Sequence, residues 1–236
     1  MLPTNEWWAV LQNYNLTIFP AQIVFYLLAV AMLVVFFTQQ ETIANRVIKG
    51  GFALAFGWIG VVFFLLLGQE LPTYKQQAFL FISLSVLFAI DFFTNTYRFS
   101  MPRAGWRKKL TLAGFGLVMA YPLLAIILGR SASQFIIPGT FPCPTVGLAL
   151  IFMATTFPAK HRWLYLVTMG LLLLWAIPFP IMIQLPKYGV YEDGIMLLMG
   201  LYSSGMLIKN WKLIRKQNRF NADSASANPF ISESKQ

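Results

Sequence analysis

Charged residues are scarce in this sequence. They make up 11% of its 236 residues, while 58% are hydrophobic; an ordinary soluble domain carries about 25% charged residues. A chain this apolar cannot cover itself with polar surface, so a soluble globular fold is excluded and the lipid bilayer is the expected solvent and partner. There is one cysteine, Cys143, and one histidine, His161. The first excludes a disulfide within the chain and any multi-cysteine zinc or iron–sulfur site. The second excludes paired-histidine haem or zinc ligation, and no metal or cofactor is expected. HExxH, P-loop and GxSxG motifs are missing, so the chain carries no enzyme signature. No basic residue precedes the first apolar run, which lacks the positive flank of a cleavable signal peptide; the first span is expected to direct insertion. Acidic residues number eight against eighteen basic ones. The basic residues cluster in a few loops, which is a topology signal and not a nucleic-acid-binding face.

What remains is a succession of apolar runs. Residues 1–16 read as an interfacial amphipathic helix: Asn5 is a cap, Glu6 suits the positive end, and Trp7, Trp8, Leu11 and Tyr14 suit headgroup depth. A membrane domain over 17–217 follows, with spans at about 19–38, 50–68, 75–97, 110–129, 143–157, 163–183 and 193–209. The fifth and seventh are short. Pro20 falls in the first turn of the first span, where a missing N–H costs little. The last span has no lysine at its centre, so a retinal Schiff base is not available. Residues 218–236, polar and rich in Ser and Asn, read as a disordered tail.

Fourteen basic residues fall in the loops 39–49, 98–109 and 158–162 and after the last span, against Lys75, Arg130 and Lys187 in the others. Seven spans with this alternation put the N-terminus outside and the C-terminus in the cytoplasm. Two echoes suggest a 3+1+3 parallel repeat: Phe19-Pro20 with Phe141-Pro142, and Leu71-Pro72-Thr73-Tyr74 with Leu185-Pro186-Lys187-Tyr188. Coincidence in a Pro- and Phe-rich chain is the alternative. The fold class is thus an all-α polytopic helical membrane bundle of seven transmembrane helices.

Candidate solute- or ion-binding residues gather at the outer ends of spans 4 to 7. Cys143 lies between Pro142 and Pro144, which remove two backbone donors at the start of a short span. It is either a packed thiol at a proline-shaped helix start or a soft ligand for a solute. Thr145 adds a hydroxyl to the same turn. Tyr121-Pro122 and Pro178-Phe179-Pro180 interrupt helices and free carbonyls, for packing or for a solute mouth. Asp193, after Glu192, is either an N-cap or a cation entrance. Arg130 is a helix-terminal cation or the outer basic partner. Asp91 lies well inside span 3, with Asn95 and Arg98 on its face at i+4 and i+7. It is either an internal polar staple or a proton or cation relay.

Tyr14-Asn15 ahead of Phe19-Pro20, Tyr121-Pro122, and above all Pro142-Cys143-Pro144-Thr145 resemble a family of uncharacterised bacterial integral membrane proteins, domain of unknown function 6064. Residues 5 to about 210 carry the resemblance. It implies a multi-pass protein of a bacterial inner membrane and brings no activity. The leading functional expectation is a small-solute or ion transporter or channel with an outward-facing site among spans 4–7. The alternatives are a non-transporting sensor or accessory subunit of a larger membrane complex, and a membrane enzyme using Cys143. The sequence leaves the solute and any homo-oligomer open.

Overall fold

The computed structural model describes residues 2–158 and 162–227; His161 and residues 228–236 of the expected tail lie outside them. The described chain is almost wholly helical. α1 (Thr4–Ile18) leads into α2 (Ala21–Thr38), α3 (Glu41–Trp58), α4 (Tyr74–Thr94), α5 (Trp106–Met119), α6 (Tyr121–Ile127), α7 (Pro142–Ala154), α8 (Arg162–Ala176) and α9 (Asp193–Ala227). Nine-residue π-helical segments, Ile59–Leu67 and Pro180–Tyr188, continue the paths of α3 and α8. β1 (Tyr97–Phe99) and β2 (Thr156–Pro158) pair antiparallel, with Tyr97 opposite Pro158 and Phe99 opposite Thr156.

Four helical stretches are long and apolar enough to cross a membrane: Ala21–Thr38, Glu41–Leu67, Tyr74–Thr94 and Trp163–Tyr188. α5 and α6 make a fifth if counted as one span, bent by 59° where Pro122 cannot donate to the preceding turn. The helical membrane bundle is therefore present, while seven spans are not reached by length and composition. α7 has 13 residues, about 20 Å at 1.5 Å per residue, against a hydrocarbon core about 30 Å thick. α9 turns polar and basic from Lys209 and runs on through Ala227.

The outer surface is that of a chain solvated by lipid. Leu27, Leu54, Phe79, Leu123, Leu174 and Leu198, on six different elements, are each more than half exposed. α7 is the opposite, because every one of its residues is buried. Phe152 near its C-terminal end is met by Phe36, Phe52, Phe99 and Phe115, with ring centroids 4.8–5.6 Å away in edge or tilted geometry. The 3+1+3 repeat is not confirmed by this packing: α7 is enclosed, whereas α2, its expected counterpart, leaves Val24, Leu27 and Val34 exposed.

α1 uses its apolar stripe on the bundle. Trp7, Val10, Leu11, Tyr14 and Ile18 fall at helical spacing on one face and are buried, so protein covers that face and Trp7, Leu11 and Tyr14 belong to the core. The π segment that follows α3 approaches α4 closely at Gly60, where a Cβ would stand 3.0 Å from the backbone nitrogen of Ile82.

At the end of the bundle that holds the hairpin, α4 stops at Thr94 because Asn95 takes a positive φ of 48°. Asn95 and Arg98 therefore do not continue a helical face with Asp91, as the sequence spacing suggests. Arg98 is exposed in β1. The partner of Asp91 is Lys49, at 2.7 Å, with both side chains fully enclosed. Lys49 also donates to Asn95 Oδ1 at 2.8 Å and to the Tyr97 carbonyl at 2.7 Å. Asp91 Oδ1 accepts from the backbone N–H of Thr96 and Tyr97 at 2.7 and 3.3 Å. One turn earlier, Asn45 Oδ1 accepts from Phe99 N at 2.7 Å. The staple explains why α3 begins at Glu41, well before the apolar run: its polar first turns have partners inside the protein.

Breaking this pair from one side leaves a buried charge. Lys49→Met is expected to destabilise the protein by about 3–5 kcal/mol. The double change Lys49→Met with Asp91→Leu is expected to recover much of the loss. Thermal unfolding of the detergent-solubilised protein measures both. Equal losses in the single and double variants would deny the pair its place as a mutual neutralisation.

Candidate functional site

The chain starts α7 inside the protein, with Thr140, Phe141, Pro142, Cys143, Pro144 and Thr145 all buried. A helix N-terminus leaves four N–H groups without intrahelical partners. Pro142 and Pro144 remove two of them, which suits a start where water cannot help. The Thr145 hydroxyl accepts from Gly139 N at 2.7 Å and donates to the Phe141 carbonyl at 2.6 Å. The Tyr14 hydroxyl donates to the Thr140 carbonyl at 2.9 Å, and the Trp58 indole donates to Tyr14 at 2.9 Å. α1 and α3 thus hold the turn before α7, and Thr145 is a structural clasp within it.

Beside this buried start lies a pocket of about 310 Å³. Trp7 and Leu11 of α1, Phe63 and Phe64 of the first π segment, Trp175 of α8, and Gln184 and Tyr188 of the second π segment bound it. Its walls are made rigid by stacked pairs: Trp7 on Tyr188 at 4.6 Å between centroids, and Trp175 on Phe179 at 4.0 Å. Its polar lining includes Cys143, Gln184 and Asp193. Asp193 has no exposed surface, and neither carboxylate oxygen makes a hydrogen bond. Gln184 Oε1 is also buried without a partner. The Cys143 thiol and the Tyr121 hydroxyl stand beside the Asp193 carboxyl as neutral donors within its reach, and neither brings a positive charge. The carboxyl does not cap α9. Its first turn is held by backbone bonds from Asp193, Gly194 and Ile195 to the carbonyls of Val190, Tyr191 and Glu192.

Arg130 builds the rim. Its Nε donates to Glu192 Oε1 at 2.7 Å, its terminal nitrogen donates to the Gly189 carbonyl at 2.7 Å, and the guanidinium lies 3.9 Å from the centroid of Trp8. Trp8 in turn donates to the Tyr188 carbonyl at 3.2 Å. One side chain thereby fastens α1 to the loop ahead of α9. A second cavity of about 260 Å³ lies between Asn15, Gln22 and Ser133: the Asn15 amide is spent on the Ser133 and Phe135 carbonyls, Gln22 Oε1 is buried without a partner, and no ionisable side chain lines it.

Of the residues singled out from the sequence, Cys143 and Asp193 come together in the pocket wall, and Tyr121 stands behind them. Thr145 and Arg130 support that wall without lining it. Asp91 sits in the ion pair at the opposite end. Sequence reasoning missed Gln184, Trp175 and Trp7 as lining. Gln184 carries a usable signal, a lone amide between Ile183 and Leu185 in an apolar run, where a polar group needs a reason. Among the described residues no group of three or more His, Cys, Asp and Glu side chains is placed to hold a metal ion.

A family model described as a family of unknown function (DUF6064) matches residues 4–218, so the chain belongs to that family. No curated protein and no solved structure matches it.

The rim makes an asymmetric prediction. The Glu192 side chain is fully enclosed while that of Arg130 keeps 15% of its surface exposed, so Arg130→Met leaves a buried carboxylate uncompensated whereas Glu192→Gln leaves a cation that can reach water. Hydrogen–deuterium exchange over residues 189–195 should rise more in Arg130→Met than in Glu192→Gln. The reverse order would contradict the clamp.

Proposed function

We propose that this member of the DUF6064 family binds a small solute in the pocket at Asp193 and carries it across the membrane, with the pocket open to the outside. The observation that carries the reading is the pocket itself: an aromatic-walled space, open on one side, that ends on buried polar atoms without partners, the usual form of a small-molecule site. The basic residues support the orientation. Lys49 and Arg130 are neutralised within the protein. Discounting them, thirteen basic residues up to Arg219 fall in the segments expected to be cytoplasmic, against Lys75 and Lys187 in the others. With α7 and the apolar part of α9 counted as spans buried in protein, the chain crosses seven times, the N-terminus is outside, and the resemblance supports a bacterial inner membrane.

A carrier fits better than a channel. A channel needs a continuous path, whereas the hairpin end is shut by the Lys49–Asp91 pair and the Asn45–Phe99 bonds. A pocket open on one side and closed on the other suits one state of an alternating-access protein. A second reading, a sensor or accessory subunit that binds without transporting, is favoured by α7, whose complete burial leaves no polar path through the centre.

Cys143 is the chain's sole cysteine and lines the pocket, so the natural protein can report on access. A small membrane-impermeant methanethiosulfonate reagent added to intact cells is expected to modify Cys143, and a bound solute is expected to slow the reaction. Modification restricted to the cytoplasmic side of inverted vesicles would overturn the outward-facing site.

A further inference from the structure

We infer that the pocket takes an organic monocation, an apolar ring-bearing body with one ammonium group, whose charge is met by Asp193 and one of whose N–H donors is met by Gln184 Oε1. This inference rests on the pocket being a solute site and adds the chemical class of the solute.

The first argument is charge. Asp193 is completely buried, and both its oxygens lack hydrogen-bond partners. A carboxylate in that position is costly unless something pairs with it. The nearby cation, Arg130, is committed to Glu192 and Gly189, and no Lys or Arg lines the pocket. An ionised Asp193 has no cation of its own here, and the lining offers an anion no positive charge. Asp91 is the internal control, because a buried carboxylate in the same protein is given a lysine and two backbone donors.

The second argument is the sense of the hydrogen bonds. The unpartnered oxygens of Asp193 and Gln184 Oε1 are acceptors. An ammonium group has donors and no acceptor, so it complements them without leaving a lone pair unmet. Trp175 Nε1, an unpartnered donor in the wall, faces the Cys143 sulfur.

The third argument is size and lining. A bare metal ion wants six or so oxygen ligands at short range, and the lining offers one carboxylate, the Gln77 and Gln184 amides, the Thr73 hydroxyl and a thiol among rings; among the described residues no three carboxylate, thiol or imidazole groups gather there. A volume near 310 Å³ lies at the small end of the range for organic ligands, about 300–1,000 Å³. Trp7, Trp175 and Tyr188 present aromatic surface, which attracts cations through the ring quadrupole. Phe63 and Phe64 provide the apolar contact for the body of the molecule.

The test uses the purified full-length protein in an uncharged detergent and three probes of similar shape: 2-phenylethylammonium, neutral 2-phenylethanol and anionic 3-phenylpropanoate. Tryptophan fluorescence and the melting temperature report binding. The ammonium probe is expected to bind about tenfold or more tighter than the alcohol, the usual gain of a charge-assisted contact, and the carboxylate weakest. Asp193→Asn is expected to reduce the ammonium probe to the affinity of the alcohol while leaving the alcohol unchanged. Gln184→Leu is expected to weaken the ammonium probe by a smaller factor. Equal binding of alcohol and ammonium, or tightest binding of the carboxylate, would overturn the cation assignment and leave the solute pocket standing. Ammonium preference that survives Asp193→Asn would likewise overturn it. No saturable response to any probe would remove the pocket as a solute site, and the inference with it. If a variant fails to fold, the ranking of the three probes on the natural protein still decides.

Discussion

The structure depends on α7, a helix too short to cross a membrane and enclosed on every side. Thirteen buried residues can be stable in such a place only if the backbone groups at both helix ends find hydrogen bonds, and here they find them largely within the protein. The N-terminal end does so by subtraction and clasping: two prolines remove donors, Thr145 takes one from Gly139, and Tyr14 reaches across from α1 to Thr140. The C-terminal end uses Thr155 and Thr156 on the Phe152 carbonyl and Ser203 of α9 on Leu150. These demands explain why α1 folds back onto the bundle and why a hairpin covers the other end. A short central helix also leaves space beyond its start. α1 and the two π segments enclose that space incompletely, and what is left is the pocket.

Two buried carboxylates then divide the labour. Asp91 is saturated by an ammonium and two backbone N–H groups, and it joins α3, α4 and β1 into one unit. A group so fully engaged has nothing to offer a ligand without breaking the fold. Asp193 has the same burial and none of the partners. A buried carboxyl escapes the cost of burial by taking up a proton or by meeting a cation, and the chain gives Asp193 no cation of its own. The contrast supports reading Asp91 as a structural acid and Asp193 as the acid of the proposed site.

Much of this was legible in the sequence, and what was not has physical causes. Scarce charge and long apolar runs identified the helical membrane bundle, and Pro142-Cys143-Pro144-Thr145 marked the start of the buried helix and one wall of the pocket. Asp193 was visible as an acid at a helix start, but the same position suits an ordinary N-cap, and sequence alone cannot tell a satisfied carboxyl from an unsatisfied one. Lys49 was misread as a loop charge. Its partner Asp91 is on another helix, and helical spacing pointed instead to Asn95 and Arg98, which a single left-handed residue takes off that face. That Trp7 and Tyr14 pack on the bundle was hidden for a related reason: an amphipathic stripe records that a helix buries one face and is silent on whether lipid or protein covers it.

The π-helical segments lay further from view, because nothing in an apolar run distinguishes a 3.6-residue from a wider turn. Yet they flank the pocket, one bringing Phe63 and Phe64 and the other Gln184 and Tyr188. Short π-helical insertions recur at functional sites, where they redirect side chains that a regular helix would point elsewhere. Here two such segments, each nine residues long, converge on a carboxylate that no protein cation satisfies. A fold concerned with packing alone had a simpler solution available, a regular helix on each side and an apolar residue at position 193. The wider turns, the lone amide and the unpaired acid in one wall support the reading of a site shaped around something the chain itself does not supply.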